Sequence, residues 1–519
     1  MNTSGYRGEL PPRDLNMARY VLRAGDAARD KTALVVIHDP AGREAETWTY
    51  HALESAVRRV AFELRAKRGL AQGSRVLIRL RNRTAYALAF FGAIAGGLVP
   101  IPASSDLTAR EVAFLLDDSE AAAIVLDDTL PHGNFAIGLA VVTEAALLAA
   151  IEGGPEGAFA DTTANDPAFL IYTSGTTANP KGVLHAHRSV WGRRPMYRGW
   201  YGITAADRLL HSGVINWTYA IGTGLSDPLA NGATALLYTG ERHPSIWLGL
   251  IRAFDATIFA GVPGLYHQIL KQVNGGRLDI ARLRHGLTAG DTLPDALEAD
   301  WRACTGTRLY EGFGQTELST YLSNAPDFPR KAGTVGRAQP GRCVAILPED
   351  RGETPLPPGA SGLIAVHRTD PGLMLGYWRR PDEERAMFRG EWFTGGDLGR
   401  MDADGAIAHL GRASDLMNAG GYRVSPVEVE AVLREHPLVA EVGVIDVPQQ
   451  HGGTAITAFV VTREGGADLS AELAARAECS LAAYKRPRHY VFVERLPKTA
   501  NGKLKRSDLK TPAVRSATG

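Results

Sequence analysis

The chain has 519 residues, more than one hydrophobic core serves, and at about 150 residues per domain it is expected to fold as several lobes. Fifty-seven Lys and Arg against 56 Asp and Glu give a formal net charge of +1, and 45% apolar with 22% charged residues is ordinary globular usage, which excludes a disordered chain or a nucleic-acid-type basic surface as the default. The 57 glycines and 29 prolines follow no period, so a collagen-like chain is excluded and a loop-rich α/β enzyme favoured. Cys304, Cys343 and Cys479 are odd in number and have no Cys or His at ligand spacing, so neither a disulfide framework nor a zinc site is expected, and a reducing cytoplasm is implied.

Met1 to Leu15 carries Arg7, Glu9, Arg13 and Asp14 and lacks an apolar core, so no secretory signal is expected. Apolar runs then alternate with helical patterns: Arg75 to Leu80, Ala85 to Ile94 and Ala122 to Leu126 read as strand, helix, strand, the texture of a parallel-rich α/β region. The uncharged stretch Thr84 to Ser105 is long enough to span a bilayer, but Gly92, Gly96, Gly97, Pro100 and Pro102 break it, predicting a buried helix, turn and strand instead. Thr108 and Glu111 fit a capping box opening the next helix. Phe169 to Tyr172 reads as a buried strand running into Thr173-Ser174-Gly175-Thr176-Thr177-Ala178-Asn179-Pro180-Lys181-Gly182, whose backbone N–H groups, hydroxyls and ammonium suit a phosphate cradle. It is not a Walker A loop, because Lys181 is followed by Gly182 and not by Ser or Thr.

Asp402-Ala403-Asp404-Gly405 reads as a hairpin turn, since no closing acid follows at EF-hand spacing. His185 and His187 lack a nucleophile or carboxylate partner at identifiable spacing and read as structural. Near residue 415 a short polar, Gly-bearing stretch marks a boundary, so 1–414 is expected to form one large region and 415–519 a compact small domain. That domain opens on a helix with Ser425 as cap, Pro426 at its first position and Glu428 where a reciprocal cap belongs. From Lys485 to Lys510 nine Lys or Arg face only Glu494 and Asp508, a density suited to phosphates, although most read as a solvated face.

Thr173 to Gly182 resembles the signature loop of the adenylate-forming (ANL) superfamily, the AMP-forming acyl-CoA synthetases and their relatives, and further motifs follow in the family's order. Ala289-Gly290-Asp291 resembles the adenine-side loop, Tyr310-Glu311-Gly312-Phe313-Gly314-Gln315-Thr316-Glu317 the Mg²⁺ and nucleotide motif, and Gly396-Asp397 with Gly411 to Asp415 the ribose and hinge motifs. Pro497 to Lys503 resembles the terminal lysine motif. The resemblance spans roughly residues 30 to 510 and implies the adenylate-forming fold: α/β, with a large multi-subdomain amino-terminal region of mixed sheets and helices and a small mobile α+β carboxy-terminal lid. It also implies ATP, Mg²⁺ and coenzyme A, a small carboxylic acid as substrate, no nucleic acid, no membrane span, a cytoplasmic monomer or homodimer, and similarity to medium-chain acyl-CoA and benzoate-CoA ligases.

Joining a carboxylate to the α-phosphorus of ATP brings two anions together, so catalysis must be mainly charge neutralisation and alignment. By the resemblance Glu317 holds Mg²⁺, Thr316 donates to the α-phosphate, and Thr173, Ser174, Gly175, Thr176, Thr177 and Lys181 surround the phosphates. Ala289, Gly290, Asp291, Tyr310, Glu311, Gly312 and Phe313 line the adenine, Asp397 and Arg412 take the ribose side, and Arg423 reaches the phosphates. Lys503 bridges the incoming carboxylate and the α-phosphate, a contact stronger in the transition state than before it; its neighbours Lys498, Lys505 and Arg506 read as solvated. Rotation about Asp415 then withdraws Lys503 and presents Gly420, Gly421 and Tyr422 to CoA.

Trp217, Tyr219, Gly222, Gly261, Val262 and Gly314 resemble the family's acyl-pocket positions. Gly314 stands where acetate-activating relatives carry Trp, which leaves room for a short- or medium-chain, branched or aromatic monocarboxylate. No cation in those segments matches a second carboxylate. The chain departs from the family pattern at Ala178, Phe313, Gly395 and Asn418, and Gln449 to Thr454 lacks the Arg and Glu of many CoA-using relatives. The competing expectations are an adenylating enzyme that loads a carrier protein or other acceptor, and a non-catalytic nucleotide-binding relative.

Overall fold

The computed structural model describes residues 5–133, 135, 138–173, 180–273, 278, 280–350, 352–419, 422–448, 454–463, 468–498 and 504–509. The chain divides into two compact units, Met1–Val344 with Val366–Phe393, and Ala345–Ala365 with Thr394–Gly519. The segment 415–519 falls wholly in the second. The fold is α/β.

The first unit holds three sheets. In one, four parallel strands lie in the order Val99–Pro102, Arg75–Arg79, Ala123–Leu126, Ala140–Thr143. The helix Thr84–Ala95 has every residue buried, which accounts for its uncharged sequence: a helix apolar on all sides is core. Among the described residues no helix is long and apolar enough to cross a membrane. The next helix, Ala109–Asp118, starts on the expected capping box, with Thr108 and Glu111 bonding each other's backbone N–H. The large sheet has a parallel centre, in the order Arg308–Gln315, His285–Ala289, Ile258–Gly261, Arg208–His211, Thr234–Tyr238, Thr32–Ile37. Antiparallel strands Ser319–Ser323 and Ala45–Thr49 flank it. In the third sheet Lys181–Ala186 pairs antiparallel with both Pro167–Thr173 and Gly376–Tyr377.

In the second unit Asp397 and Arg412 are partners across two antiparallel strands, and Asp402 to Gly405 forms the turn between them, Asp402 N–H donating to the Ala406 carbonyl. Further on, Val439–Pro448, Thr454–Thr462 and His489–Phe492 form a three-stranded sheet. Val429 and Leu433 of helix Pro426–Arg434 and Leu473 and Ala477 of helix Ser470–Ser480 bury against Val442, Val444, Ile456 and Val460 of this sheet. At about 1.5–3 kcal/mol per fully buried aliphatic side chain, this is a core of its own. Ser425 caps the first helix by accepting from Glu428 N–H, while the Glu428 carboxylate pairs with Lys485 at 2.6 Å in place of a reciprocal cap.

Candidate active site

The carboxyl ends of the central strands carry several residues singled out by sequence. Gly261 pairs with Thr288, Ala289 with Gly312, and Ala260 with His211, so these positions stand in one row where open α/β sheets bind their ligands. Gly290 has φ +92°, a left-handed turn that favours glycine. It releases the chain after Ala289 and leaves Asp291 exposed, with its carboxylate accepting from Thr292 N–H at 2.8 Å. Val262 is the cap residue of helix Pro263–Lys271.

The strand Arg308–Gln315 places alternate residues on opposite faces. Tyr310 is buried edge-on against His285, with centroids 5.2 Å apart, and Gly312 is required by Trp200 and Thr320, which a Cβ would strike. On the other face Phe313 stands edge-on to Tyr321. Glu311 is buried, accepts from Leu293 N–H at 3.1 Å and lies 3.9 Å from the Arg330 Nε. Burial drives its carboxyl up to about 8, the Leu293 bond and Arg330 offsetting only part of that.

Thr316, Glu317 and Leu318 form the turn between Arg308–Gln315 and Ser319–Ser323. The turn is tight enough that a Cβ on Gly314 would run into the Ser319 carbonyl. Glycine is thus needed there for backbone clearance, a constraint separate from the pocket room inferred by sequence. Ser319 itself has φ +72°, a conformation that costs a non-glycine residue about 1 kcal/mol or more. The Glu317 carboxylate accepts from the Tyr377 hydroxyl at 2.6 Å. Tyr377 sits on the short strand beside Lys181–Ala186, and the Lys181 ammonium, paired with Glu383, lies 5.9 Å from the Tyr377 ring centroid. Glu317 and Lys181, 136 positions apart in sequence, therefore meet around one tyrosine. Thr173 and Lys181 are register partners at the two ends of the phosphate loop. Ser174, Gly175, Thr176 and Thr177, with Ala178, lie outside the described residues.

Next to Thr316 lies a narrow cavity of about 30 Å³, room for no more than a few water molecules. Its apolar wall includes Phe169, Ile171 and Ile221, and its polar wall His185, Ser189, Ser226 and Arg193. The Arg193 guanidinium binds buried Asp227 through Nε at 2.8 Å and Nη2 at 2.6 Å, and donates through Nη1 to Ser319 Oγ. The Tyr201 hydroxyl also donates to Asp227, at 2.6 Å. A Cβ on Gly222 would overlap the Arg193 guanidinium, so this glycine admits the ion pair. Of the six sequence-selected pocket positions only Gly222 lines this cavity. Trp217 and Tyr219 pack edge to face at 5.4 Å, with the Tyr219 hydroxyl donating to the Gly261 carbonyl at 3.3 Å. His187 has a structural task, its Nδ1 accepting from Met17 N–H at 2.9 Å.

In the second unit, buried Asp397 is 3.1 Å from His409 Nε2 and 3.2 Å from Arg412 Nε. Asp415 closes the short turn Ala413–Asp415 and lies 3.6 Å from Arg506. Arg506 differs from the solvated side chain expected: it is largely buried and binds both oxygens of buried Glu430, at 2.6 and 2.8 Å. Tyr422 and Arg423 belong to the strand Tyr422–Val424, paired with Met417–Ala419. Gly420, Gly421 and Lys503 lie outside the described residues, as does most of the turn 449–454.

Sequence reasoning did not single out Tyr377, His409, Ser319 or the Arg193–Asp227 pair. Asp227 left one signal: it is the only Asp, Glu, Lys or Arg between Arg208 and Glu241, and a lone carboxylate inside a long uncharged stretch calls for a buried partner.

The model of the AMP-binding enzyme family matches residues 22–378, and that of the AMP-binding enzyme C-terminal domain residues 428–503. The benzoate–CoA ligase of Thauera aromatica is 33% identical over 90% of this chain and 91% of its own length. Among solved structures, a benzoate CoA ligase from Burkholderia xenovorans LB400 superposes with a TM-score of 0.84 at 31% identity, covering 96% of this chain and 100% of that one. ATP-bound MatB from Rhodopseudomonas palustris superposes with a TM-score of 0.86 at 27% identity, covering 96% and 98%.

Proposed function

Since the chain belongs to the AMP-binding enzyme family, we propose that it is an AMP-forming acid:CoA ligase acting on a small, ring-sized or short- to medium-chain monocarboxylic acid. Its similarity to a benzoate–CoA ligase over nine-tenths of both chains supports CoA, and not a carrier protein, as the acceptor.

The reaction runs in two steps. An oxygen of the acid's carboxylate attacks the α-phosphorus of ATP, the bond to the bridging oxygen breaks, and pyrophosphate leaves. The CoA thiol, losing its proton, then attacks the acyl carbon and AMP departs. Thr316 and Thr173 donate toward phosphate oxygens, and Lys181 neutralises charge beside them. The partly buried Glu317 carboxylate would hold Mg²⁺, a cation that prefers oxygen ligands, and the ion when bound would offset negative charge on the phosphates. Tyr377 fixes the Glu317 carboxylate by the 2.6 Å hydrogen bond. Asp397 accepts from the ribose hydroxyls, oriented by His409 and Arg412. Lys503 meets the reacting carboxylate in the first step, and rotation at Asp415 exchanges it for the Gly420-Gly421-Tyr422 face in the second.

The observation that carries this reading is the gathering of Glu317 and Lys181 around Tyr377, because it brings an anion's and a cation's worth of phosphate handling to one place from two distant motifs. The test is isotope exchange between pyrophosphate and ATP across about fifty carboxylates, with AMP release measured with and without CoA. Acid-dependent exchange and CoA-dependent AMP release are expected; absence of exchange with every acid contradicts the reading.

A further inference from the structure

Packing leaves the turn that carries Thr316 and Glu317 some freedom. Thr316, Leu318 and Ser319 all border the narrow cavity, so on that side the turn faces space in place of close-packed side chains and can shift unless directional bonds prevent it. Such bonds reach it from elsewhere in the fold. The Tyr377 hydroxyl donates to the Glu317 carboxylate at 2.6 Å, the Met374 N–H donates to the Glu317 carbonyl at 2.8 Å, and Arg193 Nη1 donates to Ser319 Oγ.

The contact with Arg193 is the costly one at both ends. Ser319 stands at φ +72°, a left-handed conformation that glycine adopts freely and that strains a residue with a Cβ. Arg193 is buried together with Asp227, and a buried ion pair is often no more stabilising than apolar side chains of the same volume. What the pair does supply is aim. Asp227 accepts from Arg193 Nε at 2.8 Å and Nη2 at 2.6 Å, the Tyr201 hydroxyl donates to the same carboxylate at 2.6 Å, and Gly222 leaves the space that the guanidinium fills. The planar fork cannot turn without breaking those bonds, so Nη1 is a fixed donor at the point where the chain leaves the Thr316–Glu317 turn.

Resting on the ligase reading above, we infer that Arg193 and Ser319 are positioning residues for the acid-activating step. Asp227 aims the guanidinium, the guanidinium holds Ser319 in its left-handed conformation, and Ser319 sets the turn that directs Thr316 and Glu317 at the nucleotide phosphates. Alignment of this kind is sensitive, since a displacement of about 1 Å can cost on the order of a hundredfold in rate.

The test measures kcat and KM for acid-dependent exchange of pyrophosphate with ATP, using the acid that exchanges fastest in the panel above, together with urea unfolding. Ser319→Gly relieves the strain and Ser319→Ala keeps it, but both remove the hydroxyl. In both, kcat should fall by about tenfold or more with KM for the acid within about twofold of wild type, while the glycine variant unfolds at no lower urea concentration than the alanine variant. Because Arg193→Met alone leaves a buried carboxylate unpaired, a second arm removes both charges together. In the Arg193→Met, Asp227→Leu background, adding Ser319→Ala should change kcat by less than about twofold, the hydroxyl having lost its donor. Wild-type kcat in Ser319→Gly, or an equal loss from Ser319→Ala with and without the ion pair, overturns the inference and leaves the ligase reading standing. Absence of exchange with every acid in the wild type overturns the ligase reading and this inference with it.

Discussion

Replacing Glu311 by Gln isolates the consequence of burying an ionisable group beneath the nucleotide motif. The side chain is 2% exposed, and its carboxyl is raised from 4.5 to about 8, chiefly by burial. Between those two values the folded chain keeps a proton that the unfolded chain has released, so stability falls as pH rises. The favourable state is complete below about pH 4.5 and is lost as pH climbs through about 8. At about 1.4 kcal/mol per tenfold in proton affinity, the window corresponds to roughly 5 kcal/mol, an upper figure because water entry and relaxation relieve part of it. Gln keeps an oxygen for the Leu293 N–H and removes the ionisation. All eight tryptophans, from Trp48 to Trp392, lie in the first unit with Glu311, so urea unfolding followed by tryptophan fluorescence reports on the right part of the chain. Stability of Glu311→Gln minus that of the wild type should rise by at least about 2 kcal/mol between pH 5 and pH 9. A difference that stays constant to within about 0.5 kcal/mol across that range refutes the claim that this carboxyl is protonated in the folded protein.

Tyr377→Phe removes the hydroxyl that holds Glu317; a hydrogen bond to a charged group is worth about 1.5–3 kcal/mol, so kcat/KM for MgATP should fall about tenfold or more at saturating acid, and an unchanged value argues against a positioning role. Asp227→Asn strands the Arg193 charge in a buried site, and a loss of about 3–5 kcal/mol is expected in urea unfolding. Adding Arg193→Met should restore part of that loss, whereas additive damage contradicts the pairing. Gly314→Ala presses a methyl group against the Ser319 carbonyl, with about 1–3 kcal/mol lost and kcat reduced through the displaced Thr316–Glu317 turn; wild-type stability and turnover would show that the turn has slack.

Local chemistry was legible in the sequence where residues close in the chain act on one another. The Thr108–Glu111 capping box, the Ser425 cap, the strand feeding the phosphate loop and the breakers after the buried helix are all of this kind. Motif order also carried the family. Side-chain pairings across the fold were not legible, because nothing at Glu317 specifies a tyrosine 60 positions on, nor at Arg193 an aspartate 34 positions on. Glu428 shows how a correct local pattern is overridden: Ser425 caps the helix, yet the carboxylate finds a closer cation in Lys485. Gly222 and Gly314 are instructive for the same reason, since a missing side chain reads as pocket room in sequence while the structure spends it on a guanidinium and a carbonyl. Arg506 looked like one more member of a basic tail until Glu430, 76 positions away, was placed against it.

The division of labour between two lid arrangements is reached most directly by Lys503→Ala assayed in each half-reaction separately. Acid-dependent pyrophosphate exchange should fall by about 10²-fold or more, as expected for loss of a charge contact in the transition state, while conversion of supplied acyl-adenylate and CoA to thioester stays within about threefold of wild type. Equal loss in both half-reactions, or retention of adenylation, contradicts a lysine that serves the first step and is withdrawn for the second.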